Sequence, residues 1–133
     1  MNIQENTHLK INKHLCGEPI KLAEGYSQVK LQTTLDMILD ETRLIHGGFT
    51  FSLADYAAML AINHPNVVLG SSNVRFLKPV VEGDLLIAEA QLREIKGKKH
   101  IVDVKVKKEN EIVFEGEFIC FIPKTHLLKN KGG

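Results

Sequence analysis

Apolar positions alternate with polar ones over several stretches of this chain, and the alternation marks strands. From Tyr26 to Thr34, Val29, Leu31 and Thr33 fall on one side and Gln28, Lys30 and Gln32 on the other, the two-residue period of a half-buried strand. Further strand-like segments run Val67 to Leu77, Asp84 to Ile95, His100 to Lys108 and Glu111 to Ile122. In the third of these, Val102, Val104 and Val106 oppose Asp103, Lys105 and Lys107. In the last, Ile112, Phe114, Phe118, Cys120 and Ile122 share a face opposite Glu115 and Glu117. One face of the sheet is therefore expected to be wet. Lys96-Gly97-Lys98-Lys99 and Glu109-Asn110 are hairpin-length connections, so the strands they join should be antiparallel neighbours.

Between about Gly48 and Asn63 the chain is nearly continuously apolar and reads as a helix, stopped by His64-Pro65-Asn66, where proline cannot continue the ladder. Ala54, Ala57, Ala58 and Ala61 are small enough to let a sheet approach closely. Asp36 to Arg43 reads as an irregular connection. Residues 1–25, punctuated by Gly17, Pro19 and Gly25, read as a lead-in with room for a short helical turn, and the Lys- and Gly-rich residues 124–133 as a tail that frays. About five antiparallel strands and one long apolar helix have one economical arrangement, an α+β domain in which the sheet curls around the helix.

One carboxylate, Asp55, interrupts that helix, and a buried charge without a partner needs a reason. The helix opens on Gly47 and Gly48, where backbone N–H groups lack intrahelical acceptors and the macrodipole is positive. With no side chains in the way, an oxygen developing negative charge can sit against those donors. Asp55 lies about 10 Å further along the axis than Gly48 at the helical rise, too far to serve the same bond within one chain. A second copy of the helix would bring its Asp to the first copy's glycines, so the site is expected to be shared between subunits.

Composition narrows the field. A chain of 133 residues suits one domain, and 17 Lys+Arg against 16 Asp+Glu leave a formal charge of +1, with no global field for gripping nucleic acid. Cys16 and Cys120 lie far apart, and neither a secretory signal nor a membrane-spanning apolar run is evident, so a reduced, cytoplasmic, soluble protein is expected. The six histidines are scattered with no ligand spacing, and no metal is expected.

His46-Gly47-Gly48, Leu53-Ala54-Asp55, Ala57-Ala58 and Asn63, in that order and spacing, resemble the helix motif of the hotdog-fold acyl-CoA thioesterases of the phenylacetate-pathway (PaaI-like) branch. Val74-Arg75-Phe76-Leu77-Lys78-Pro79 followed by Gly83-Asp84 is similar to that branch's next strand and turn, so the likeness covers roughly residues 26–121. The resemblance implies an acyl-CoA thioester as substrate, no cofactor beyond coenzyme A within it, and two protomers joined edge to edge as a homodimer, often paired again as a homotetramer. It implies that Asp55 acts as general base or nucleophile while Gly47 and Gly48 of the facing helix polarise the carbonyl and His46 shapes their loop. The pantetheine arm would pass Ser71, Ser72 and Asn73, and CoA phosphates would meet Arg75, Lys78, Lys98 or Lys99. Asn63 either caps the helix or touches ligand. Where the branch often has an Asn, six residues before His46, this chain has Asp40, and an ionised carboxylate accepts hydrogen bonds but cannot donate them.

A second function remains open. The Asn66-to-Asp84 region is similar to the hotdog domain of malonyl-CoA-sensing repressors, which implies a non-catalytic acyl-CoA-binding module. Those repressors add a helix-turn-helix, for which residues 1–25 leave no room.

Overall fold

The computed structural model describes residues 3–130, without the side chains of residues 129 and 130. Six strands, β1 (Glu18–Ala23), β2 (Tyr26–Gln32), β3 (Val68–Phe76), β4 (Leu85–Lys96), β5 (Lys99–Lys108) and β6 (Glu111–Phe121), form one antiparallel sheet in the order β1-β2-β4-β5-β6-β3. The four longer segments and the first alternating strand stand where the polarity pattern places them. The hairpin connections β4–β5 and β5–β6 are antiparallel, as their lengths require.

The sixth strand, β1, lies inside what reads as a lead-in. Its alternation is hidden because only Leu22 of its residues is buried. Pro19, which cannot donate to a ladder, is tolerated because β1 is an edge strand with a register shift between Pro19 and Lys21. A second irregularity corrects the face assigned in β6. The register with β5 shifts between Val106 and Lys107, so Val113 is buried beside Phe114 while Ile112 is only half-buried. One extra residue in a strand exchanges the faces of the residues on either side of it.

The long helix α2 (Gly47–Ile62) is wrapped by the sheet, and Leu53, Ala54, Ala57, Ala58 and Leu60 are fully buried on it. Each large apolar side chain so covered contributes about 1.5–3 kcal/mol. The alanines do what their size suggests: Ser27 Oγ of β2 reaches the Ala57 carbonyl at 2.6 Å, a strand-to-helix approach that a bulkier residue at position 57 would prevent. Asn63 ends the helix in the left-handed conformation at φ 55°, its N–H bonded to the Met59 carbonyl.

The lead-in is a strap laid along α2. It contains the one-turn helix α1 (Lys13–Cys16), capped by the Asn12 side chain, which accepts from Leu15 N. Beyond β6 a 3-10 turn occupies Leu127–Asn130, and the rest of the tail expected to fray, residues 131–133, lies outside the described residues.

Candidate active site

Gly48, Ser52 and Asp55 fall at i, i+4 and i+7 on α2 and so share one stripe of the helix. The stripe is turned away from the fully buried Leu53, Ala57 and Leu60, and Ser52 Oγ on it donates to Cys16 Sγ of the one-turn helix α1 at 3.2 Å. Asp55 is half-buried, its Oδ1 is shielded from solvent, and that atom has no hydrogen-bond partner. Burial alone pushes its carboxyl up from 3.8 to about 6, with no cation to oppose the shift. Cys120 of β6 is close enough to feel that charge. Its thiol is pushed up to about 12, first by burial and then by Asp55.

At the start of α2, His46 is the N-cap residue, and its side chain makes no capping bond. Its N–H bonds to the Met37 carbonyl at 3.0 Å and Ile45 N–H to the Val80 carbonyl at 2.8 Å, which fixes how the chain enters the helix. Gly47 and Gly48 have ordinary helical backbone, so close packing is what demands them. A Cβ on Gly48 would lie 3.0 Å from His46 Nε2, and one on Gly47 would lie 3.1 Å from the Phe76 ring. The imidazole also meets Phe49 edge-on, with centroids 6.1 Å apart. Leu44, Ile45, Gly47, Phe76, Pro79 and Val80 line a largely apolar hollow of about 300 Å3 beside this helix end. Phe76, more than half exposed, belongs to the strand motif of the sequence but has no site role in that reading. Its place against Gly47 comes from the tertiary fold, and its exposure leaves no mark in the sequence.

β3 carries Ser71, Ser72 and Asn73, all exposed, along a sheet edge that no other strand among the described residues covers. Such an edge presents unpaired N–H and C=O groups to any partner strand. Arg75 donates to Glu115 at 2.9 Å, Lys78 lies 3.8 Å from Glu111, and Lys98 and Lys99 are exposed at the β4–β5 tip. Asp40 is exposed and folded back on its own turn, its Oδ1 accepting from Thr42 N at 2.9 Å and from Thr42 Oγ1 at 2.5 Å. Asn63 is tied to the strap, Oδ1 accepting from Asn6 N at 2.7 Å and Nδ2 donating to Gln4 O at 2.8 Å. The structure thus gathers His46, Gly47 and Gly48 at one helix end with Asp55 two turns beyond, and ties Asp40 to its own turn and Asn63 to the strap. Among the described residues no three His, Cys, Asp or Glu side chains converge as a metal site would require, and no helix is long and apolar enough to cross a membrane.

A wrapped helix opening on paired glycines, with a partnerless carboxylate on its open side, is the arrangement of a hotdog-fold protein. The family model for the thioesterase superfamily matches residues 43–115, and the chain belongs to that superfamily. An uncharacterized protein of Pyrococcus horikoshii superposes with a TM-score of 0.94 at 52% identity, over 96% of this chain and 98% of that one. The PaaI protein of the Escherichia coli phenylacetic acid degradation operon superposes with a TM-score of 0.77 at 28% identity, over 86% and 84% of the two chains. The transcription factor FapR of Caldanaerobacter subterraneus is 30% identical over 98% of this chain and 68% of its own length. A protein of Aquifex aeolicus named methylthioribose-1-phosphate isomerase is 57% identical over 84% of this chain. This chain spans only 25% of that relative.

Proposed function

We propose that the protein hydrolyses an acyl-CoA or closely related thioester at a site shared by two protomers. The observation that carries this is Asp55, a shielded carboxylate oxygen with no partner, on a carboxyl whose pKa is raised to about 6. A structural carboxylate in such a place would be paired, whereas a base working near neutral pH is served by a raised pKa. The open β3 edge supplies the means of joining two copies into one continuous sheet. In the joined pair, Asp55 of one protomer faces the helix N-terminus of the other. Ionised Asp55 takes a proton from water as the water oxygen bonds to the acyl carbon. The carbonyl oxygen gathers negative charge against the N–H groups at Gly47 and Gly48, then the C–S bond breaks and the thiolate leaves. His46, lying over Gly48, holds the loop that presents those donors. The relative PaaI, named as an acyl-coenzyme A thioesterase and 29% identical over 80% of this chain, supports the substrate class.

The match to FapR over nearly the whole chain favours a second reading, an acyl-CoA-binding regulator without turnover. The name of the Aquifex relative belongs to a polypeptide of which this chain spans a quarter, and no isomerase chemistry is carried over. Hydrolysis of a panel of short, medium and aryl acyl-CoAs by the wild type and Asp55→Asn separates the two readings. Turnover by the wild type and its loss in the variant supports hydrolysis. Tight acyl-CoA binding without turnover by the wild type establishes the regulator instead.

A further inference from the structure

The apolar hollow beside the start of α2 owes its walls to backbone contacts on three sides. Ile45 N–H bonds to the Val80 carbonyl and Leu44 forms a bridge with Val81, so the segment entering the helix is fastened to the loop that leaves β3. That loop turns out of the sheet because Leu77 N–H and Lys78 N–H both bond to the Val113 carbonyl, at 2.8 and 3.2 Å. On the third side Gly47 has no side chain, so the space reaches the first turn of α2 itself.

Phe76, the last residue of β3, closes the hollow. Its ring meets the fully buried Phe114 edge-on with centroids 5.0 Å apart, and it packs against Gly47 closely enough that a Cβ there would lie 3.1 Å away. Among the described residues lining the space, Lys78 alone is charged, and its ammonium stands 3.8 Å from Glu111. Apolar walls that begin at backbone donors suit an apolar chain attached to a polarised carbonyl. They do not suit a chain ending in a charge, whose burial would need a partner. At about 30 Å3 for a water-sized group, a hollow of about 300 Å3 holds roughly ten non-hydrogen atoms.

We propose that this hollow seats the acyl group of the thioester and that Phe76 sets the length of acyl group it accepts. This rests on the reading of Gly47 and Gly48 as donors to the thioester oxygen, which puts the acyl carbon at the mouth of the hollow. The acyl chain then enters the space while the sulfur and the coenzyme A part remain outside. An octanoyl group lies near the upper limit of what the walls enclose, and a hexadecanoyl group exceeds it. A dicarboxylic acyl group is disfavoured at any length, because its second carboxylate would meet apolar walls and a lysine already facing Glu111. Removing the Phe76 ring opens the wall toward Phe114 and lengthens the space.

Calorimetry with ketone analogues of acyl-CoA, in which a methylene replaces the thioester sulfur so that nothing is hydrolysed, tests this with butanoyl, octanoyl, hexadecanoyl and succinyl chains. For the wild type, affinity should rise about fourfold per methylene from butanoyl to octanoyl, fall back for hexadecanoyl, and be weaker for succinyl than for butanoyl. In Phe76→Ala the limit should move to longer chains, hexadecanoyl gaining about tenfold or more relative to octanoyl. In Leu44→Trp, which adds bulk at a half-buried wall position, octanoyl should lose about tenfold or more relative to butanoyl. A wild type without that length limit, a preference for succinyl, or an unmoved length profile in either variant that folds overturns the proposal. Length-selective binding that the variants shift, in a protein that turns over no thioester, upholds the acyl site and removes the hydrolytic reading alone. Turnover with an unmoved profile does the reverse.

Discussion

Tyr56 and Asn63, both held by the strap, and Asp55, about 100° around α2 from Tyr56, receive opposite treatment. The Tyr56 hydroxyl bonds to Glu5 at 2.5 Å and accepts from Lys13 Nζ at 3.1 Å, Lys13 also pairs with Glu5, and Asn63 is engaged through both ends of its amide. Every one of these contacts is made by the strap before β1, and together they satisfy the polar atoms that burial of the helix would otherwise strand. Asp55, one residue from Tyr56, receives nothing comparable. The chain evidently has the means to neutralise a polar group on this helix, and where it withholds them, the group is available for chemistry.

The largest effect that sharpens this contrast is on rate. Asp55→Asn should lower kcat by about 10²- to 10⁴-fold, the usual contribution of a general base, with the circular dichroism spectrum unchanged. An undiminished rate would break the contrast at its root. For the same reason, kcat/KM should rise as pH increases through about 6, since only the ionised carboxylate accepts the water's proton.

Stability should respond with the opposite sign. Folding raises the Asp55 pKa from 3.8 to about 6, so the folded protein disfavours the ionised form. The penalty is absent below pH 4, grows between the two values and is complete above the upper one, where it amounts to about 3 kcal/mol by linkage. Denaturant melts should therefore show Asp55→Asn more stable than wild type at pH 8 and no such gain at pH 4. A variant less stable at pH 8 would mean that the carboxylate has a stabilising partner after all.

On the strapped side the expected pattern is reversed. Asn63→Ala should destabilise by about 1–3 kcal/mol, because Asn6 N–H and Gln4 C=O lose their partner, with kcat essentially retained below the melting transition. Tyr56→Phe should have the smallest effect, about 1 kcal/mol for the bond to Glu5, again without a change in kcat. Loss of turnover in either variant at a temperature where it is folded would merge the two sides into one functional unit.

How far these features were legible depended on the range of the interactions behind them. The helix was readable as Gly48 to Asn63 against the observed Gly47–Ile62, because apolar content and the Pro65 stop are local signals. The β5 alternation was readable for the same reason. β1 escaped because an edge strand holding proline and a register shift buries a single residue, which leaves no period to detect. The face of Val113 escaped because a bulge leaves no mark in polarity. Asp55 could be singled out from its setting alone, and its lack of a partner is what the coordinates add. The capping of the helix by Asn63 was also legible, but the anchoring of its side chain was not, since Asn6 and Gln4 lie 57 and 59 residues away in sequence.

The most direct measurement concerns the division of the site between protomers. Asp55→Asn and Gly48→Val chains, each inactive alone, are co-expressed with different tags and the mixed dimer is purified. One site of that dimer combines an intact Asp55 from one protomer with an intact helix N-terminus from the other. Thioesterase activity should reappear in the mixed dimer and nowhere else. A mixed dimer as inactive as its parents would contradict a site built from the carboxylate of one chain and the backbone amides of the next.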